Sequence, residues 1–102
     1  MNKKLDINRL EEVASKLRAL AHPLRVAIIE LLDHKKELTV TEIYQVLGIE
    51  QAATSHHLNI LKSRGVLKSR RSGKNTYYSI RPNNILRVID CVSRCETNKY
   101  KV

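Results

Sequence analysis

The chain has 102 residues, a formal net charge of +9, two cysteines, four Tyr and neither Phe nor Trp. Residues 1–102 therefore read as one domain, large enough to bury about 60–70% of its unfolded surface in one core without metals or disulfides, and that core must be aliphatic. No apolar run approaches the roughly 18 residues that span a bilayer, Met1–Asp6 turns polar where a signal peptide needs an apolar stretch, and two cysteines make no disulfide framework, so a secreted, membrane or disulfide-scaffold protein is excluded and a cytoplasmic one expected.

In chain order, the apolar spacing marks short helices. Leu10, Val13, Ala14 and Leu17 recur at helical intervals, with Asn8 expected as N-cap and Glu11 three residues on. A second helix starts at Pro23, a good first helical residue, with Leu24, Ala27, Ile28 and Leu31 on one face, and ends in the polar turn Asp33–Lys36. Thr39-Val40-Thr41-Glu42 is a capping box, with Leu38 placed to staple onto Ile43, and it opens a third helix that Gly48 stops. The next helix runs from about Gln51 to Arg64 and stops at Gly65. Only Gly48-Ile49-Glu50 separates the two, the short Gly-containing turn of a helix-turn-helix spanning about 39–64.

After Gly65 the period becomes two. Leu67–Ser72 and Asn75–Ile80 flank Gly73-Lys74 as a two-stranded hairpin, about 67–80, with a basic tip; Tyr78 and Ile80 share one face and Tyr77 takes the other. Ile85, Val88, Ile89 and Val92 then restore helical spacing, in a last helix of about 83–96. About five helices with a two-stranded wing make a mainly α, winged helix-turn-helix fold.

The charge is unevenly placed. Residues 1–50 hold 8 basic and 8 acidic side chains, whereas residues 51–89 hold Lys62, Arg64, Lys68, Arg70, Arg71, Lys74, Arg81 and Arg87 and no acid. An acid-free basic stretch beside a neutral half is the footprint of a polyanion binder; a solvated face kept for solubility would intersperse acids. On a wheel of ~100° per residue, Thr54, His57, Leu58 and Leu61 share one third of the helix after Gly48. Gln51, Ala52, Ser55, His56, Asn59 and Lys62 occupy another arc. Gln and Asn pair bidentately with adenine, Ser bonds several bases, and Ala touches a thymine methyl, as a major-groove helix requires. Arg70, Arg71 and Lys74 on the wing suit phosphates or a minor groove, with Asn75 assisting.

Leu17-Arg18-Ala19-Leu20-Ala21-His22-Pro23-Leu24-Arg25, Ser55-His56-His57-Leu58-Asn59-Ile60-Leu61 with Gly65-Val66-Leu67, and Gly73-Lys74 through Ile80 together resemble ArsR/SmtB-type winged-helix transcriptional regulators over roughly residues 8–95. The resemblance implies a homodimer built from the first and last helices that binds a promoter operator and is released by a metal, oxidant or other small effector. Leu10 and Val13 would then join Ile85, Val88, Ile89 and Val92 at the dimer contact, and that last stripe also fits a two-fold contact on its residues alone, or packing within one subunit. Thr41, in the first turn of the third helix, would lie near a phosphate.

Other chemistries fare poorly. Ser55, His56 and His57 point in different directions with no carboxylate to orient an imidazole, so no catalytic residue is assigned and an enzyme is not expected. His57 faces the core as a hydrogen-bonded structural residue, and His22 reads as a helix-start residue. Metal-responsive relatives place Cys-x-Cys after a Glu-Leu, but here Glu37-Leu38 precedes Thr39-Val40-Thr41, and hydroxyls are poor ligands for soft metals. Zinc-responsive relatives use last-helix Asp and His positions that fall here at about Pro82, Asn84, Cys95 and Asn98, of which at most Cys95 survives. Cys91 and Cys95 share one side of the last helix as a thiol or soft-metal alternative, although two ligands are not a site and Cys95 also reads as a small buried hydrophobe. No metal and no cofactor are expected. Arsenite, cadmium or zinc at micromolar levels should leave DNA binding unchanged. A metal-dependent loss of DNA affinity, abolished by changing both cysteines to Ser, would contradict this.

A sequence-specific, dimeric DNA-binding repressor with double-stranded operator DNA as partner, and no membrane, is the expectation; a winged-helix module for RNA or a protein partner is the alternative.

Overall fold

A computed structural model describes residues 5–82 and 85–99, with side chains as far as Arg94. Among these run α1 (Ile7–Leu20), α2 (Pro23–Lys35), β1 (Leu38–Thr39), α3 (Val40–Leu47), α4 (Gln51–Ser63), β2 (Leu67–Ser72), β3 (Asn75–Ile80) and α5 (Ile85–Lys99).

Helix α1 starts two residues earlier than expected. Asp6, not Asn8, is the N-cap: its Oδ1 accepts from the amides of Asn8 at 3.1 Å and Arg9 at 3.4 Å. Both residue types cap helices, but a carboxylate also meets the positive end of the helix dipole. Helix α2 begins at Pro23 as expected, and His22 caps it through Nδ1, which accepts from the Leu24 amide at 3.1 Å. Of the expected face, Ile28 is buried and Leu24, Ala27 and Leu31 are half-buried, while Ile29 and Leu32, outside that face, are buried as well. Helix α2 packs on α1, α3, α4, α5 and β3, so being surrounded replaces a single apolar stripe.

The capping box is complete. Thr39 Oγ1 accepts from the Glu42 amide at 3.2 Å, and Glu42 Oε1 accepts from the Thr39 amide at 2.9 Å. Gly48 ends α3 at φ 69°, with its amide on the Tyr44 carbonyl at 2.9 Å. A Cβ there would meet nothing within 4 Å, so the turn needs glycine for its left-handed backbone and not for space.

The expected two-stranded wing belongs to a three-stranded antiparallel sheet, ordered β1-β3-β2. Strand β1 is two residues that double as the approach to the α3 cap, too short to leave an alternating pattern. In register, Leu38, Tyr78 and Ser69 form one cross-sheet row and Thr39, Tyr77 and Arg70 the next. The core joins Ile28, Ile29 and Leu32 of α2 to Ile43, Leu58, Leu61 and Val66, with Tyr78 as its aromatic member.

Candidate nucleic-acid interface

The core-facing arc of α4 holds α4 in place. Thr54 and Leu61 are wholly buried, and Leu58 and His57 nearly so. Burying a hydroxyl is costly without a partner, and Thr54 has one: its Oγ1 donates to the Glu50 carbonyl at 3.0 Å. The opposite arc is free. Gln51, Ala52, His56, Asn59 and Lys62 are exposed, and Ser55 is half-buried. Thr41 is exposed on the first turn of α3.

His57 is the core-facing, hydrogen-bonded residue expected of it, and its partner is Arg25, which no local spacing announces. Arg25 Nε donates to His57 Nδ1 at 3.1 Å, and its Nη1 donates to the Ala19 carbonyl at 3.3 Å. One guanidinium thus ties the end of α1 and α2 to the helix that carries the polar arc. The His22 ring stands 4.6 Å from that of His57, and His56 stands 5.7 Å away. Because its Nδ1 accepts, His57 carries its proton on Nε2 and is neutral in this arrangement. Burial is the largest cause holding its pKa below the ordinary histidine value, with His22, Arg25 and His56 adding to it. The unfolded chain therefore binds this proton at a higher pH than the folded one. Stability is full above about pH 6.5 and falls as pH drops below that value, levelling off beneath the lowered folded pKa. Urea unfolding across pH 5–8 should show a smaller acid-side loss in His57→Gln than in the parent; equal losses would remove His57 from the account.

At the wing, Gly73 turns the hairpin at φ 63°, and Arg71, Lys74 and Asn75 are exposed around its tip. Arg70 is placed differently. Its Nε donates to Glu37 Oε2 at 2.6 Å and its Nη2 to Glu37 Oε1 at 2.9 Å, while the guanidinium lies 4.7 Å from the Tyr77 ring centroid. These hydrogen bonds hold the Glu37 carboxyl below the usual carboxylate range. The sequence places Glu37 and Arg25 only within motifs and not in these pairs, because their partners lie 33 and 32 residues away and no local spacing announces them.

A second surface lies on α1 and α5. Leu10, Val13, Leu17, Val88 and Val92 are all exposed, and Leu17, Val26, Val88, Ile89 and Val92 line an apolar groove between α1, α2 and α5. Ile89 is half-buried against the chain's own core, and Ile85, 7% exposed, belongs to that core and offers little to a partner. Cys91 is an exposed free thiol. The side chains of Cys95 and Asn98, and Asn84 altogether, lie outside the described residues, and with them the thiol or soft-metal alternative at Cys91 and Cys95 and the reading of Cys95 as a small buried hydrophobe. Among the described residues no three His, Cys, Asp or Glu side chains come together as a metal site, and no helix is long and apolar enough to cross a membrane. At the first-turn positions where a Cys-x-Cys would sit, Thr39 is occupied in the cap of α3 and Thr41 faces solvent.

Two helices joined by a left-handed glycine turn, followed by an antiparallel wing, define a winged helix-turn-helix domain. Residues 20–70 match the family model described as a helix-turn-helix domain. The chain is 44% identical to the transcriptional repressor PagR of Bacillus anthracis over 78 residues, 76% of this chain and 77% of that protein. It is 35% identical to the HTH-type transcriptional regulator NmtR of Mycobacterium tuberculosis, over 84% of this chain and 71% of that one. The PagR crystal structure superposes with a TM-score of 0.77 at 36% identity, covering 85% of this chain and 99% of that one. The solution structure of a homodimeric winged helix-turn-helix DNA-binding domain from Mycobacterium bovis, a possible ArsR-family regulator, gives 0.79 at 30% identity, covering 92% and 86%. The chain belongs to the ArsR/SmtB family of winged helix-turn-helix transcriptional regulators.

Proposed function

We propose that the protein is a homodimeric repressor acting in the cytoplasm, where it occupies a pseudo-palindromic operator and carries out no catalysis. The observation that carries this reading is the free arc of α4: polar, small and without a carboxylate, on a helix whose other side is locked into the core. Gln51, Ala52, Ser55, His56 and Asn59 would meet base edges, with Lys62 and Thr41 on the backbone beside them. Arg71 and Lys74, with Asn75, would meet phosphates or a minor groove beyond each half-site.

The exposed apolar residues of α1 and α5 support a two-fold contact between copies. Leu17, Val88 and Val92 are exposed along one apolar groove and Leu10 and Val13 are exposed on α1, and two helices of one chain meeting their copies would give a self-complementary patch. Two α4 helices held by such a contact would enter successive major grooves on one face of the duplex, with half-site centres about one helical turn or a multiple apart. Repression follows as promoter occupancy. The names of the relatives PagR and NmtR are in keeping with a regulator, and PagR with a repressor.

Gel-shift titrations of duplex DNA and of a structured RNA over a range of salt test the class of partner. Retention of duplex with steep salt dependence, and weak, sequence-independent retention of the RNA, is expected. Equal or tighter retention of RNA would replace this reading with an RNA-binding one.

A further inference from the structure

We propose that Glu37 and Arg70 form a strut that sets the angle of the wing against the helix-turn-helix, and that Arg70 serves DNA binding as a positioning residue through that strut rather than as a phosphate contact. The inference rests on the wing being a DNA-binding element, as in the proposed function.

Leu67 and Tyr78 anchor the base of the wing in the core, and beyond that base the wing meets the approach to the helix-turn-helix at a short seam. Strand β1 pairs with β3 over only Leu38–Tyr78 and Thr39–Tyr77, and Thr39 is at once the last residue of β1 and the N-cap of α3. Two pairs hold a register but resist rotation poorly, since each strand is fixed by a few hydrogen bonds. Arg70 stands on the far strand of that same row, opposite Tyr77. Its side chain crosses the outer face of the sheet above the Tyr77 ring and closes a two-bond fork on Glu37, immediately before β1. One side chain therefore spans all three strands, from the hairpin to the residue that leads into the cap of the first helix of the motif.

The chemistry suits a strut better than a DNA contact. A planar guanidinium paired bidentately to a carboxylate and stacked on a ring is directionally fixed, which an ammonium could not match. Its charge is also matched. A cation already paired to a carboxylate does not neutralise a phosphate, so the pair adds little to the counterions released on binding. Arg71 and Lys74, nearer the tip, have no carboxylate within ion-pair distance among the described residues and keep their charge for DNA. An exposed pair contributes little to the stability of the fold, which makes angle, not stability, the property it controls.

The two roles predict opposite signs. The probe is a duplex recovered from a random pool with the parent protein, and Glu37→Gln, Arg70→Ala, Arg70→Glu, Lys74→Ala and the exchange E37R/R70E are compared by affinity across salt and by hydroxyl-radical footprinting. If Arg70 is a strut, Glu37→Gln weakens binding roughly three- to fivefold although it removes a negative charge near DNA. Arg70→Ala weakens it similarly and blurs protection at the outer flank of each half-site, yet leaves the slope of log K against log salt close to that of the parent. Lys74→Ala lowers that slope by about 0.9 per subunit. The exchange recovers most of the affinity that Arg70→Glu loses. Tighter binding by Glu37→Gln, a slope loss in Arg70→Ala equal to that of Lys74→Ala, or an exchange as weak as Arg70→Glu would each overturn the strut while leaving DNA binding intact. A parent protein that retains no duplex at all would overturn the DNA-binding reading, and the strut with it.

Discussion

Val92→Asp is expected to turn the dimer into monomers and to lower affinity for a two-half-site duplex by about 10²–10⁴-fold, the advantage of making the second half-site contact intramolecular. Val92 is 63% exposed on α5, beside Val88 at 40% and across the groove from Leu17 on α1. A carboxylate there costs the isolated subunit little, because water reaches it. In a two-fold contact the same carboxylate would be buried without a partner and would meet its symmetry mate, a combination few interfaces tolerate. Ile89→Asp should give monomers as well, but Ile89 packs against the core of its own chain, so a charge there also threatens the fold. The surface variant separates the two effects. Sedimentation velocity reads the assembly state, thermal melting reads the fold, and the gel shift reads affinity. A Val92→Asp protein that stays dimeric would show that the α5 stripe is not the contact.

Asn59→Ala should change what the protein reads, whereas Lys74→Ala should change only how tightly it holds. Asn59 is exposed in the middle of the free arc of α4, one turn beyond the half-buried Ser55. A bidentate Asn–adenine pair carries about 1–3 kcal/mol of discrimination against the wrong base, so its loss should flatten preference roughly 5- to 150-fold at one position in each half-site. Ser55 is half-buried, and Ser55→Ala should flatten preference less. Lys74, at the exposed tip, should weaken all sequences alike. Competition titrations against duplexes changed at single positions distinguish these patterns. A uniform loss in Asn59→Ala would move Asn59 from base reading to the backbone.

The fold was largely legible because its signals are local. The capping box at Thr39 and Glu42, the left-handed turn at Gly48, the helical spacing of Thr54, His57, Leu58 and Leu61, and the change to a period of two after Gly65 each need only neighbours in the chain. Strand β1 was not legible, since two residues carry no alternation and its existence depends on Tyr77 and Tyr78 arriving from β3. The buried face of α2 was only partly read, Ile28 but not Ile29 or Leu32, for a related reason: a helix enclosed on several sides has no single stripe to display. Asp6 and Asn8 are both residue types that cap helices, and apolar spacing alone does not choose between them. At the site, the free arc of α4 and the exposed tip of the wing follow from periodicity and turn chemistry. The latch of Arg25 on His57 and the fork of Arg70 on Glu37 do not, because each joins residues more than 30 positions apart. Charge patterning showed that residues 51–89 lack acids, but not that one of their arginines is neutralised by an acid from the other half of the chain.

Selection of bound sequences from a random duplex pool tests the central claim most directly. A dimer reading DNA through two α4 helices should enrich one pseudo-palindrome, with half-site centres about one helical turn or a multiple apart and Asn59-dependent preference at a symmetric pair of positions. Retained duplexes with no common sequence, or a single non-repeated site, would contradict it.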